Sequence, residues 1–366
     1  MTNRSQRRWF MPMDGLFCAM HACHAIWIWG KVSHRPIENH EQQQRAVFMK
    51  HQLHTWKTPH GQIIIHPERA RVLQAQVGSN DLFWVNAFYR QGWNVGGDRL
   101  WVGPETDWFW KVTDEMDFAK YEVQKPLDSD NWKVTQLEDK VCHLGKMVTL
   151  KHQHEKSTIK LAFTRSFFLS EMDAPYFDKH VAYTTNNTLE IRKGKLGQRV
   201  DLWAVLQVPA GGIVYVPVRG DGEVRNYFDP ITDDLWERRK RVLAFEITGK
   251  QQYKVGIAPA SSRGRYAYVR EFGDDYLVVY REYFNQPWRE YCDSPLDEPD
   301  TQGDSLQIYN DNGDFGGFGE VEHHTPCLRV GGYFDHLSNS YLTVAGLVKE
   351  KDWPKWYNHW LLAEDD

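Results

Sequence analysis

The sequence is short of the features that identify most function classes. Its 366 residues hold five cysteines, Cys18, Cys23, Cys142, Cys292 and Cys327, an odd number with no CxxC pair. That spacing indicates neither a disulfide framework nor a structural zinc knuckle. Basic residues are not in excess either: 44 Lys and Arg against 49 Asp and Glu leave a net charge of −5. Proteins that track nucleic-acid phosphates usually show the opposite balance, so no nucleic-acid partner is expected. No apolar run reaches the ~20 residues of a spanning helix, so no transmembrane segment is expected. Nucleophile-elbow, HExxH and kinase signatures are missing. The Gly96-Gly97 pair is followed by no Walker lysine and misses the dinucleotide-binding glycine spacing. Nothing calls for a cofactor or a metal. The one tract with metal-like composition, Cys18, His21, Cys23 and His24, lies in a Met- and Trp-rich N-terminal stretch.

Amphipathic helical patterns are scarce as well. The best are short, at residues 231–242 and 350–363, the second interrupted by Pro354. What fills the chain instead is a succession of about fifteen short apolar runs bounded by Gly, Pro, Asn and Asp, among them "GQIIIHP", "DLFWVNAFY", "KMVTLKHQ", "GGIVYVPV" and "DYLVVYREYF". β-Branched and aromatic residues at such spacings indicate strands. In "TIKLAFTRSF" Ile159, Leu161, Phe163 and Arg165 alternate with Lys160, Ala162 and Thr164, the mark of a half-buried antiparallel strand. The sequence therefore predicts an all-β fold, one large antiparallel sandwich over residues 46–366 with a few short helices. Residues 1–45 read as an N-terminal extension, and the polar residues 31–50, with a Gln run, read as a linker. The basic opening "MTNRSQRRWF" and the apolar "LFCAMHACHAIWIWG" resemble a signal peptide, whereas Asp14, His21 and His24 argue against one. The compartment expected is the cytoplasm or, if the segment is a signal, an exported location.

Aromatics are abundant: 14% of the chain, with 16 Trp and 17 Tyr. Trp and Tyr join an apolar face to a polar rim, which suits recognition surfaces as well as cores. Four Trp fall within "WNVGGDRLWVGPETDWFW", residues 93–110. Gly96-Gly97 permits a tight entry to a strand on which Arg99 and Trp101 share a face opposite to Asp98 and Leu100. Arg99 offers a planar fork of donors, Trp101 a stacking platform, and Glu105 a carboxylate where strand passes into loop. A plain Arg–Glu ion pair beside a core Trp is the alternative. In "GFGEVEHHTP" a glycine-rich loop feeds a strand with Glu320, Glu322 and His324 on one face. Two acids at this spacing have Cα atoms roughly 6.6 Å apart. If both are buried, at least one pKa rises toward the range that proton transfer near neutrality needs. In "VDLWAVLQVP" Trp203 and Gln207 project together. Lys254, Arg263 and Arg265 close a further strand and its loop, in reach of a ligand or simply solvated.

In this order the motifs resemble the galactose mutarotase-like superfamily of aldose 1-epimerases, in particular a branch carrying GG-x-R-x-W-x-x-PE. The matching pieces are residues 71–86, 94–105, 202–212, 253–259 and 317–326. The resemblance implies a β-supersandwich holding a sugar on its concave face, with a late-strand glutamate as base toward the anomeric hydroxyl. Glu322 or Glu320 resembles that glutamate, and Arg99 the arginine that contacts ring hydroxyls. Mutarotases also carry one histidine near the GG segment and another on a central strand. Here those regions offer Arg99, Trp101 and Glu105, and Trp203 and Gln207, so the proton donor falls to Glu105, Glu320, His324 or His180. The expected partner is a small carbohydrate and the expected chemistry is epimerase-like. Cleavage of a modified sugar or oligosaccharide, or sugar binding without catalysis, are the alternatives.

Overall fold

The computed structural model describes residues 53–86, 94–111, 118–299 and 301–363. The N-terminal extension, the linker and the Cys/His tract expected there lie outside these residues. The described chain forms two ten-stranded antiparallel sheets and a two-stranded ribbon, Arg199–Val200 with Leu328–Arg329. The all-β reading holds.

The first sheet carries the motifs. Its order is His54–Thr58, Gly61–His66, Arg71–Val77, Asp98–Trp101, Trp203–Pro209, Phe318–His324, Leu306–Asn310, Tyr253–Ile257 and Val224–Asn226. Asn80–Asp81 pairs off this path with Arg71–Val77. The second sheet runs from Trp236–Arg239 through Val242–Ile247, Gly212–Pro217, Arg265–Phe272, Asp275–Tyr283, His336–Val348, Lys179–Lys193, Thr158–Leu169 and Val141–Lys151 to Lys133–Leu137. The main core lies between the inner faces of the two sheets. In Thr158–Leu169 the alternation works as read: Ile159, Leu161, Phe163 and Arg165 are buried, while Lys160 and Thr164 face solvent.

Several local expectations fail for identifiable reasons. Residues 231–242 do not form a helix. Trp236–Arg239 is an edge strand in a hairpin with Val242–Ile247, reversed at Lys240 in a left-handed conformation (φ 50°). Trp236 stacks on Phe245 across that pair, and the charged side chains guard an exposed edge. In the described part of the run from residue 81, residues 82–86 form no regular strand: Val85 makes an isolated bridge to Gly96, while Leu82 and Phe83 turn into the core. Lys179–Lys193, the longest strand at 15 residues, shows no apolar run because Thr185 and Asn187 occupy its buried face. At the C-terminus Pro354 opens a helical turn, Trp353–Trp356, rather than interrupting one. Trp356, Trp360 and Leu361 then cover the outer face of the second sheet. Among the described residues no helix is long and apolar enough to cross a membrane.

The double glycine places the next element. Gly96 and Gly97 sit at φ 97° and 74°, in the left-handed region that L side chains avoid. A Cβ at Gly97 would lie 2.4 Å from the Val72 carbonyl oxygen, so only glycine lets the Asp98 strand seat against its neighbour.

Candidate active site

Register fixes which side chains meet. Val205 pairs with Arg99 on one side and with Glu322 on the other. One pair along, Trp203 lies between Trp101 and His324, and Gln207 faces Glu320. Beyond Phe318–His324, Gln307 pairs with Glu322, and Tyr309 pairs with both Glu320 and Lys254. Paired residues in an antiparallel sheet share a face. Arg99, Trp101, Trp203, Gln207, Glu320, Glu322, His324 and Lys254 therefore lie on the outer face of the first sheet, and Asp98, Leu100 and His323 on its inner face. Glu105, in the helical turn that follows Pro104, reaches the same place.

The charged groups interlock. Arg99 donates from Nη2 to Glu320 Oε1 at 2.8 Å, and Gln207 Nε2 donates to the same oxygen at 2.7 Å. Lys254 Nζ donates to Glu105 Oε2 at 2.5 Å and to Glu322 Oε2 at 3.2 Å. Trp203 Nε1 also donates to Glu322 Oε2, at 2.9 Å, and the Tyr121 hydroxyl donates to Glu105 Oε1. Glu322 is only 1% exposed. Burial pushes its carboxyl up to about 7; Lys254 opposes that rise, and Glu320 and Glu105 add to it. Lys254 is pulled down by burial, yet Glu105 and Glu322 outweigh this and raise it, so it stays cationic.

Above these groups lies a small cleft, partly open to solvent. Its described lining has an unusual composition: five charged residues (Arg99, Lys254, Glu105, Glu320, Glu322), with every other described lining side chain aromatic. The rim rings pack on one another, Phe118 against Tyr121, Phe228, Phe315 and Tyr309 at centroid separations of 5.5–6.4 Å.

Segments far apart in the sequence thus meet as the pattern implied, but three side chains take other positions. Trp101 is no open platform: the Arg99 guanidinium carbon lies 3.7 Å from its ring centroid, Phe109 stacks on it, and it is 1% exposed. The accessible ring surface belongs to the half-buried Phe118, Tyr121, Phe228 and Phe315 instead. Gln207 braces Glu320 without lining the pocket. His324 lies behind Trp203, its ring stacked at 5.7 Å and its Nδ1 3.0 Å from Asp201 Oδ2. Burial lowers the His324 pKa, but Asp201, with Asp293 and Glu322 nearby, outweighs that and raises it. His180 is elsewhere, against His60 and the Met172 carbonyl, and Arg263 and Arg265 bond the Val218 and Ala363 carbonyls. Lys254, grouped in the sequence with those loop arginines, is instead central. Its place inside the apolar run Tyr253–Ile257, ahead of the Ser/Gly loop, is the signal that separates it from them. Among the described residues no three His, Cys, Asp or Glu side chains converge as a metal site would require.

Residues 62–341 match the model of a family described as a family of unknown function, DUF6786, and the chain belongs to that family. No curated protein matches the sequence. Among solved structures, the chain resembles a candidate aldose 1-epimerase from Escherichia coli K12, at 8% identity over 81% of this chain and 98% of that one, with a TM-score of 0.52. That likeness establishes the mutarotase-like fold. A candidate aldose 1-epimerase from Klebsiella pneumoniae subsp. pneumoniae MGH 78578 matches at 10% identity, 83% and 82% coverage and a TM-score of 0.47. A galactose mutarotase-like protein from Lactobacillus casei ATCC 334 matches at 11% identity, 81% and 99% coverage and a TM-score of 0.41.

Proposed function

We propose that this member of the DUF6786 family binds a carbohydrate in the Arg99–Lys254 pocket and performs epimerase-like acid/base chemistry on it. The observation that carries the reading is a buried carboxyl, Glu322, facing a second one, Glu105, across the single Lys254 ammonium, under aromatic walls. Such walls complement the C–H face of a pyranose, and the charged floor complements its hydroxyls.

Glu322 is the base. A carboxyl near 7 is deprotonated in part of the population at neutral pH and holds a proton firmly enough to return it. In ring opening it takes the proton of the anomeric hydroxyl while the ring C–O bond breaks and the ring oxygen gains a proton. Glu105 or Glu320 is the acid; each accepts two hydrogen bonds, Glu105 from Lys254 and Tyr121 and Glu320 from Arg99 and Gln207. Lys254, touching Glu105 and Glu322 together, stabilises negative charge developing on the departing oxygen. Arg99 orients Glu320 and the ligand's hydroxyls. Closure on the opposite face of the carbonyl reverses the roles and inverts the anomeric centre.

The test is Glu322→Gln assayed by anomer-exchange NMR on a panel of monosaccharides. Turnover should fall by roughly 10²–10⁴-fold, the size of a lost general base, with binding largely kept. Unchanged turnover removes Glu322 from the mechanism. Paired buried carboxyls also suit glycosidic cleavage, the second reading. Product analysis on oligosaccharides separates it, since only cleavage releases new reducing ends. Binding of a monosaccharide without either activity leaves a sugar-binding protein.

A further inference from the structure

The pocket's charges do not balance. Among the described lining residues three carboxylates, Glu105, Glu320 and Glu322, face two cations, Arg99 and Lys254. Both cations already hold carboxylates: Arg99 contacts Glu320, and Lys254 contacts Glu105 and Glu322. Most of the surrounding buried charges leave that excess unchanged. Asp201 pairs with His324, Arg225 with Asp304 and Arg71 with Asp128, each acid matched by one base. Asp293 is a further buried acid whose charge acts on Lys254; it is 1% exposed, and its Oδ1 has no hydrogen-bond partner. Among the described residues, an anionic ligand entering here would meet no cation without a carboxylate on it, so it would have to break an existing pair.

The walls point the same way. Aromatic rings carry a negative face, and rings gathered around an acidic floor attract a cation. Among the described residues the rest of the lining offers no aliphatic side chain, and its neutral polar groups are indole and phenol.

Resting on the carbohydrate reading above, we infer that the preferred ligand carries a protonated amine, so that the pocket selects amino sugars over neutral sugars and rejects sugar phosphates and uronic acids. The ammonium would take the place of the missing third cation, hydrogen-bonding the carboxylates while the rings cover its C–H flank.

Isothermal titration of the full-length protein at neutral pH tests this with D-glucosamine, D-galactosamine, D-glucose, D-galactose, D-glucuronate, D-glucose 6-phosphate and tetramethylammonium. The amino sugars should bind on the order of tenfold tighter than their neutral counterparts, the scale of a desolvated cation–π contact joined to a charge-assisted hydrogen bond. Glucuronate and the phosphate should bind weakest. Glu105→Gln should pull the amine-to-neutral ratio down toward one, and the wild-type ratio stands as the measure if that variant does not fold. Neutral sugars binding as tightly as amino sugars, or an acidic sugar binding best, overturns the charge inference and leaves the carbohydrate reading intact. Tetramethylammonium binding with no sugar bound overturns the carbohydrate reading and leaves the charge inference. Binding of none of these overturns both.

Discussion

Asp98 and Arg99 are neighbours in the chain and occupy opposite faces of one strand, and each centres a buried charge cluster. On the inner face, Asp98 accepts hydrogen bonds from Arg165 at 2.8 Å, Arg281 at 2.6 Å, Tyr183 at 2.8 Å and Tyr341 at 3.2 Å. All of these groups are sealed between the sheets. On the outer face, Arg99 belongs to a cluster that borders a pocket. Burial alone does not separate the two. The inner cluster has more cations than acids, and its donors converge on one carboxylate. His323 beside it is driven well below its ordinary pKa by burial and by Arg281, so it adds no charge. The outer cluster has more acids than cations, and one of its carboxyls titrates near neutrality. One cluster ties two sheets together; the other has an unmet demand for a proton or a cation.

That contrast is open to mutation. Asp98→Ala leaves two guanidiniums buried without their shared carboxylate, and breaking a buried pair in this way costs about 3–5 kcal/mol. Urea denaturation should show the loss, while Glu322→Gln should shift stability far less; equal losses would erase the distinction between the clusters. In activity the order reverses, with Glu322→Gln removing turnover as described above. A pH series is the next lever. Glu322, ordinarily near 4.5, and Asp293, ordinarily near 3.8, are each raised to about 7, chiefly by burial. Carboxyls raised on folding bind more protons in the native state, so their contribution to stability is complete at low pH and disappears as pH climbs to about 7. The melting temperature should therefore decline between pH 5 and pH 7.5, and Glu322→Gln should flatten part of that decline; a rising curve, with no flattening, would contradict the assignment. The smallest effect expected is that of Tyr121→Phe, which removes the hydroxyl donated to Glu105. A single hydrogen bond to a charged group is worth about 1.5–3 kcal/mol, so the variant should lose activity by roughly 10- to 10²-fold without losing fold.

Period-2 alternation made much of this legible. It put Arg99 with Trp101, Trp203 with Gln207, and Glu320 with Glu322 and His324 on the correct faces, and the order of motifs placed them on one sheet. Alternation failed where an inward face is polar, as at Thr185 and Asn187, and where a charged edge strand imitates a helix, as at Trp236–Arg239. Depth was not legible either. Nothing in the sequence says that Arg99 would lie on Trp101 and close it, that Gln207 would serve Glu320, or that Asp98 would collect two arginines from the opposite sheet. These depend on which strands become neighbours, and pairing over more than a hundred residues is set by the whole core rather than by local pattern.

The central claim is that a carbohydrate lies against Glu322 and Arg99, beneath the Phe118–Tyr121 rim. Crystals soaked in a mixture of monosaccharides test it most directly. The account predicts ring density within hydrogen-bonding distance of the Glu322 carboxyl and the Lys254 ammonium, with one sugar face against those rings. Saccharide density at another place on the molecule, with this pocket empty, would contradict it.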